Sequence, residues 1–174
     1  GGVNRSEAFF HYKAAADLGN PASATCTGYC YMTGDGVEKN EKEGVRYYAE
    51  AAEGGCLDGM FNMGIVNRDG VCTAVNEKEA IRWFNMSCVN RHPDGMYAMA
   101  RCYQIGYGGL RRDFAKGAAI LAKIVDRYIH PAAELSLGQC LLFGRGVPKD
   151  TKMGAKLVAR CAQVGLDDAQ YILA

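Results

Sequence analysis

A chain of 174 residues, 49% of them hydrophobic, can bury a continuous core, and no run approaches the roughly eighteen unbroken apolar residues of a membrane-spanning helix. Twenty lysines and arginines against nineteen acidic residues leave a net charge of +1, which excludes a strong overall basic field that would recruit nucleic acid or an anionic membrane. The first residues lack the layout of a signal peptide.

One phrase recurs five times: Asn or Asp, three residues, Ala or Gly, and four residues on an aromatic or aliphatic side chain. It reads Asn4-Ala8-Tyr12, Asn40-Gly44-Tyr48, Asn76-Ala80-Phe84, Asp113-Gly117-Leu121 and Asp150-Gly154-Val158, at steps of 36, 36, 37 and 37 residues. A period in that range marks a helical solenoid, whose units bury their apolar faces only by stacking on one another. The pattern predicts helices at about 5–18, 22–33, 41–54, 58–69, 77–90, 94–105, 114–128, 132–143, 151–164 and from 167 onward, with no sheet. The organisation expected is a single solenoid domain over residues 1–174. It comprises a partial repeat 1–19, repeats at about 20–55, 56–91, 92–128 and 129–165, and the start of another at 166–174. The chain thus reads as a segment of something longer.

Each phrase opens the second helix of a hairpin. Small or apolar residues at 44, 45, 48, 51 and 52, and again at 80, 81, 84, 87 and 88, form an amphipathic stripe. The leading Asn or Asp is an N-cap, and Glu7, Glu43 and Glu79 three residues later complete a capping-box pattern. Lys116 and Met153 replace that Glu in the last two copies, whose caps are expected to be weaker. The first helix carries a small column, Gly28, Gly64, Ala100 and Gly138. Glycine inside a helix costs about 1 kcal/mol relative to alanine, so its recurrence signals close helix approach. Three residues on come Tyr31, Asn67, Tyr103 and Leu141, large residues to fill the space between hairpins, with Asn67 the weakest of them. Gly34, Gly70, Gly106 and Gly144 end the first helices in left-handed conformation. Gly19, Gly55 and Gly165, or Arg91 and Tyr128 in the degenerate copies, end the second helices. Pro21, Pro93 and Pro131 open the next first helix.

Assembled, the unit is Ala-x3-Gly-x2-Tyr-x2-Gly-x-Gly-Val-x2-Asn-x2-Glu-Ala-x3-Tyr-x2-Ala-Ala-x2-Gly, followed almost throughout by Ala24 to Gly55. It resembles the Sel-1-like repeat, a relative of the tetratricopeptide repeat with a longer unit. The resemblance implies an all-α fold, a right-handed α/α superhelix that works as an adaptor in larger assemblies. Members serve in endoplasmic-reticulum quality control, in signalling and cell-wall regulation, and among secreted or periplasmic bacterial proteins. No shared catalytic residues come with the repeat.

Eight cysteines invite disulfides, metal ligation or buried thiols. Cysteine-rich members of the family link each second helix to the next first helix, and the regular pair this requires is missing here. Cys30, Cys102 and Cys140 share one repeat position. Packed neighbouring helices lie roughly 8–10 Å apart, beyond the reach of about 7 Å between Cα atoms that a disulfide allows. No Cys-x2-Cys is present. Buried thiols are expected, in a reducing compartment and so in the cytoplasm, with the endoplasmic-reticulum lumen or secretion as alternatives. His92 and His130 both precede proline at a repeat junction, a structural position, and His11 lies on a solvent-facing helix surface.

The reading that results is a protein-interaction module, an adaptor or scaffold without enzymatic activity, metal or cofactor. It binds a protein or peptide along the surface lined by first helices, and binds no nucleic acid. Tyr29, Asn62, Arg101, Tyr103 and Gln139 are the candidate contact residues. The alternatives are a structural segment of a larger complex without a groove ligand, and a secreted cysteine-rich repeat protein with hydrolase or ligand-binding activity.

Overall fold

The computed structural model describes residues 4–163, and within them the chain forms nine α-helices and no strand. They are α1 (Arg5–Asp17), α2 (Pro21–Thr33), α3 (Glu41–Glu53), α4 (Leu57–Asp69), α5 (Glu77–Val89), α6 (Pro93–Ile105), α7 (Phe114–Arg127), α8 (Pro131–Phe143) and α9 (Thr151–Gln163). Each agrees with its expected span to within one residue. The expected helix from 167, the repeat start at 166–174 and Gly165 lie outside the described residues.

Two compact units divide the chain, residues 1–95 and 96–174. In the first, α2 packs against α1, α3 and α4, and α4 packs also against α3 and α5. In the second, α8 packs against α7 and α9. Connections alternate between three residues, from a second helix to the next first helix, and seven residues within a hairpin. The α6–α7 corner is one residue longer and holds a 3-10 turn at Tyr107–Gly109, while α7 has 14 residues where its counterparts have 13. Those two additions account for the two steps of 37.

Every corner is closed by backbone. Gly34, Gly70, Gly106 and Gly144 adopt φ of 78°, 71°, 75° and 65°, and each amide donates to a carbonyl four residues earlier, in the last turn of the first helix. The amide of the following N-cap then reaches back to that same turn. Asn40 donates to the Tyr31 carbonyl (2.9 Å), Asn76 to Asn67 (2.8 Å), Asp113 to Tyr103 (2.7 Å) and Asp150 to Leu141 (2.9 Å). Each such bond joins an orphan donor of one helix to an orphan acceptor of the other. Asn67, the polar member of its column, keeps this backbone bond, and its buried side-chain amide donates to the Met63 carbonyl at 2.8 Å. One expectation is corrected here. The last two caps are not the weaker ones. Asp113 and Asp150 accept from the amides of Lys116 and Met153 at 2.9 Å, against 3.1–3.4 Å for Asn4, Asn40 and Asn76. A charged acceptor makes the stronger bond. Glu43 and Glu79 turn instead toward Arg46 and Arg82 one helical turn on.

The two small columns meet where the helices of a hairpin cross. A Cβ added to Gly28 would stand 2.7 Å from Tyr48 Cδ1 and 3.0 Å from the Gly44 carbonyl oxygen. At Gly138 it would stand 2.9 Å from Val158 Cγ2 and 3.1 Å from the Gly154 oxygen, and at Gly64 it would overlap the Phe84 ring. Where Ala100 takes the glycine's place, the facing position holds Leu121 rather than an aromatic, and both are fully buried. Phe84 and Val158 are equally buried, and burial pushes the Tyr48 phenol up to about 12. Burying such a side chain stabilises by about 1.5–3 kcal/mol.

In the first unit Tyr31 fills the gap between hairpins, stacked on Tyr47 at 5.8 Å between centroids and edge-on to Phe9 at 5.2 Å. Tyr47 escapes the sequence stripe yet is fully buried, its hydroxyl donating to Asp17 at 3.0 Å. In the second unit Glu134 is buried at the start of α8, where the other copies carry Ala24, Met60 and Met96. Arg160 of α9 neutralises it through bonds of 2.8 and 2.5 Å.

Gly64→Leu and Ala80→Leu are each expected to lower unfolding free energy by about 1–3 kcal/mol through overpacking. Lys42→Leu, on the exposed face of α3, is expected to change it little. Urea denaturation followed by helical circular dichroism measures all three, and a Gly64→Leu protein as stable as the parent would refute the close crossing.

Candidate partner-binding surface

On a first helix, the residue just after the small column turns away from the hairpin seam. Tyr29, Ile65, Arg101 and Gln139 hold that position; Tyr29 and Arg101 are exposed, Ile65 and Gln139 half-buried. The ridges of successive first helices leave clefts between them, and these gather most of the candidate residues.

In the first unit, α2 and α4 border a cleft of about 480 Å³ lined by Thr25, Cys26, Tyr29, Cys30 and Asn62, with Tyr12 of α1 at its edge. Tyr29 and Asn62 thus share one site. Two carboxylates reach it, and both are engaged: Asp35 pairs with Arg5 at 3.0 Å, and Asp58 Oδ1 lies 3.0 Å from His92 Nε2. What the cleft offers a ligand is an exposed phenol, an amide and apolar walls.

In the second unit, α6 and α8 border a cleft of about 320 Å³ that brings Arg101 together with Gln139. Arg112 and Arg145 enter it from the two corners, and Gln104 forms its floor. Gln104 is buried, donates from Nε2 to Cys140 Sγ at 3.3 Å and accepts from Arg101 at 3.4 Å. Tyr103 goes elsewhere. It lines a neighbouring cleft of about 570 Å³ with Arg111, Arg112 and Lys116, whose ammonium lies 5.4 Å from the Tyr103 ring centre. Of the five candidates, Tyr29 and Asn62 thus share a cleft of the first unit, Arg101 and Gln139 a cleft of the second, and Tyr103 lines the neighbouring one.

Sequence reasoning missed Gln104, Arg112 and Arg145 as site residues. Arg145 had a readable signal: it follows the capping Gly144 as Asp35 follows Gly34, so it occupies a cleft-facing corner position with the opposite charge. Arg112 is visible in sequence only as part of a short basic run. Its place in the cleft depends on the path of the longer α6–α7 corner.

The cleft cysteines and the histidines are placed for structure. Burial pushes the thiols of Cys26, Cys30 and Cys140 above their ordinary range, which keeps them protonated and poor as nucleophiles. His92 and His130 accept at Nδ1 from the amides of Gly95 (3.3 Å) and Ala133 (3.1 Å) and so cap α6 and α8, as Asn20 caps α2. Among the described residues no three His, Cys, Asp or Glu side chains gather as a metal ion would require, and no helix is long and apolar enough to cross a membrane. Burial is not uniform across the cysteines. Cys30, Cys102, Cys140 and Cys161 are buried, but Cys72 is exposed at φ 56°, in the corner position that Gly36 and Gly146 hold elsewhere.

A family model described as Sel1 repeat matches residues 2–20, 26–56, 57–88, 93–124 and 131–162. Chitin synthase regulatory factor 2 of Schizosaccharomyces pombe is 27% identical over 150 residues, 82% of this chain and 29% of that protein. Two solved structures share the fold. A Sel1 repeat protein from Oxalobacter formigenes superposes with a TM-score of 0.85 at 25% identity, over 95% of this chain and 66% of that one. A protective antigen of uropathogenic Escherichia coli strains, displaying an SLR fold, gives 0.80 at 26% identity, over 97% of this chain and 36% of that one. The chain thus spans under a third of the curated relative's length.

Native alkylation is expected to label Cys72 first, while Cys140 and Cys161 react only after denaturation. Mass spectrometry of peptides from timed iodoacetamide reactions reads the order. Labelling of Cys140 as fast as Cys72 would contradict the packing described.

Proposed function

The chain belongs to the Sel1 repeat family, and we propose that it is a protein-interaction module, an adaptor that holds a protein or peptide partner on the surface of its first helices. The observation that carries this reading is the arrangement of that surface. Tyr29 with Asn62, and Arg101 with Gln139, project into clefts between successive first helices and take no part in the hairpin crossings. A rigid surface of this kind pays little ordering cost on the repeat side when a partner docks. A regulatory role within a larger assembly is consistent with the relative named as a chitin synthase regulatory factor.

The module turns over no substrate in this reading. In support, the cleft thiols are held protonated by burial, and Nδ1 of both junction histidines is occupied in capping helices. The same reading places it in the cytoplasm, where cysteines such as Cys140 and Cys161 serve as small apolar packing groups.

The experiment is affinity capture from cells with the full-length protein and quantification of the co-purified partners. Tyr29→Ala and Arg101→Glu are each expected to reduce partner recovery about tenfold, the scale of a central interface contact. Lys42→Glu and Lys123→Glu, on exposed faces of second helices, are expected to leave it unchanged. Loss with the second pair and retention with the first would move the binding surface to the second helices.

A further inference from the structure

The net charge of +1 hides a segregation. Residues 1–95 hold nine lysines and arginines against thirteen acidic residues, a net −4, and residues 96–174 hold eleven against six, a net +5. In the first unit Arg5, Arg46, Arg68 and Arg82 each meet a carboxylate. The three arginines of the α6–α8 cleft differ. No carboxylate lines that cleft, and among the described residues none pairs with Arg101, Arg112 or Arg145. Aromatic rings support two of them instead, Arg112 over Phe114 at 5.5 Å and Arg145 over Phe143 at 5.2 Å. Stacking of this kind fixes a guanidinium plane and leaves its edge of N–H donors available. Gln104, Gln139 and Ser136 add amide and hydroxyl groups to the same walls. Beside the arginines stand Ile105, 59% exposed, and Phe143, 60% exposed, both five residues after the small column.

We infer, resting on the interaction-module reading, that this cleft binds an acidic peptide segment of the partner protein, its carboxylates on Arg101, Arg112 and Arg145 and an apolar side chain against Ile105 and Phe143. Charge complementarity names the partner: three guanidinium groups with no counter-ion among the described residues are satisfied by carboxylates, which their planar forks match in pairs. Size and surroundings favour a peptide over a polyanion backbone. A cleft of about 320 Å³ bordered by exposed apolar side chains suits a few side chains of mixed character.

The test uses the full chain and fluorescence anisotropy with short labelled peptides: one of Asp, Glu and Leu, one with Lys in place of the acids, and one with phosphoserine in place of the acids. A single-stranded oligonucleotide of equal charge completes the set. The acidic peptide is expected to bind and the basic one not, and the affinity to fall as added salt contracts the screening length below about 10 Å. R101Q/R145Q, whose side chains are exposed, is expected to weaken the acidic peptide about tenfold or more, and Lys42→Gln to leave it unchanged. Tighter binding of the phosphopeptide or the oligonucleotide overturns the carboxylate assignment. Peptide binding that ignores charge and R101Q/R145Q, but is lost in Tyr29→Ala, overturns this inference and leaves the interaction module standing. If no probe binds and partner capture does not respond to Tyr29→Ala or Arg101→Glu, both readings fail.

Discussion

The bond from each N-cap amide to a carbonyl in the preceding first helix is the constraint on which the rest depends. A helix pair joined by a short loop carries unsatisfied donors at one end and unsatisfied acceptors at the other. At Asn40–Tyr31, Asn76–Asn67, Asp113–Tyr103 and Asp150–Leu141 the chain sets one against the other. That fixes where the second helix starts relative to where the first one stops. The left-handed capping glycine supplies the sharp exit, and the N-cap side chain satisfies a further donor inside the second helix. With both ends of the corner fixed, the small column of the first helix falls opposite the phrase that opens the second. Backbones then approach until the Gly28 and Gly138 sites lie about a Cβ contact from the carbonyls of Gly44 and Gly154.

This arrangement divides labour between backbone and side chain. Hairpin geometry rests on backbone bonds, on small residues and on one large residue per second helix. The column after the small residue takes no part in it, so Tyr29, Ile65, Arg101 and Gln139 can differ completely in one fold. The same freedom lets Asp35 and Arg145 occupy matching corners, and lets one unit be acidic while the other is basic. Function in such a scaffold resides in the columns that the fold ignores.

That division also explains what could be read from the residues. Helix boundaries, capping glycines and crossing columns were legible because each depends on a residue type with a single physical reason to be there: glycine for positive φ or close approach, Asn or Asp for a cap. The bond that Asn67 makes to the next N-cap was not legible, because it uses the carbonyl, which every residue has. The Glu43 and Glu79 capping boxes were misread because Arg46 and Arg82, three residues on, compete for the same carboxylates. For the binding surface, position within the repeat separated outward from inward residues. It could not tell which outward residues converge. Tyr103 parted from Arg101 although two residues away, and Arg112 joined Arg101 across an irregular corner.

The alternation of three- and seven-residue connections bears on how the chain acquires its structure. In each unit nearly every helix contact is with the next helix in sequence, so the loops to be closed are short and the entropy of closing them small. Topologies of this kind fold fast, and no single hairpin is obliged to form first. A nascent chain could organise α2 with α3 as soon as both have been synthesised, without waiting for distant sequence. Damage to one corner would be felt chiefly by the hairpins on either side of it.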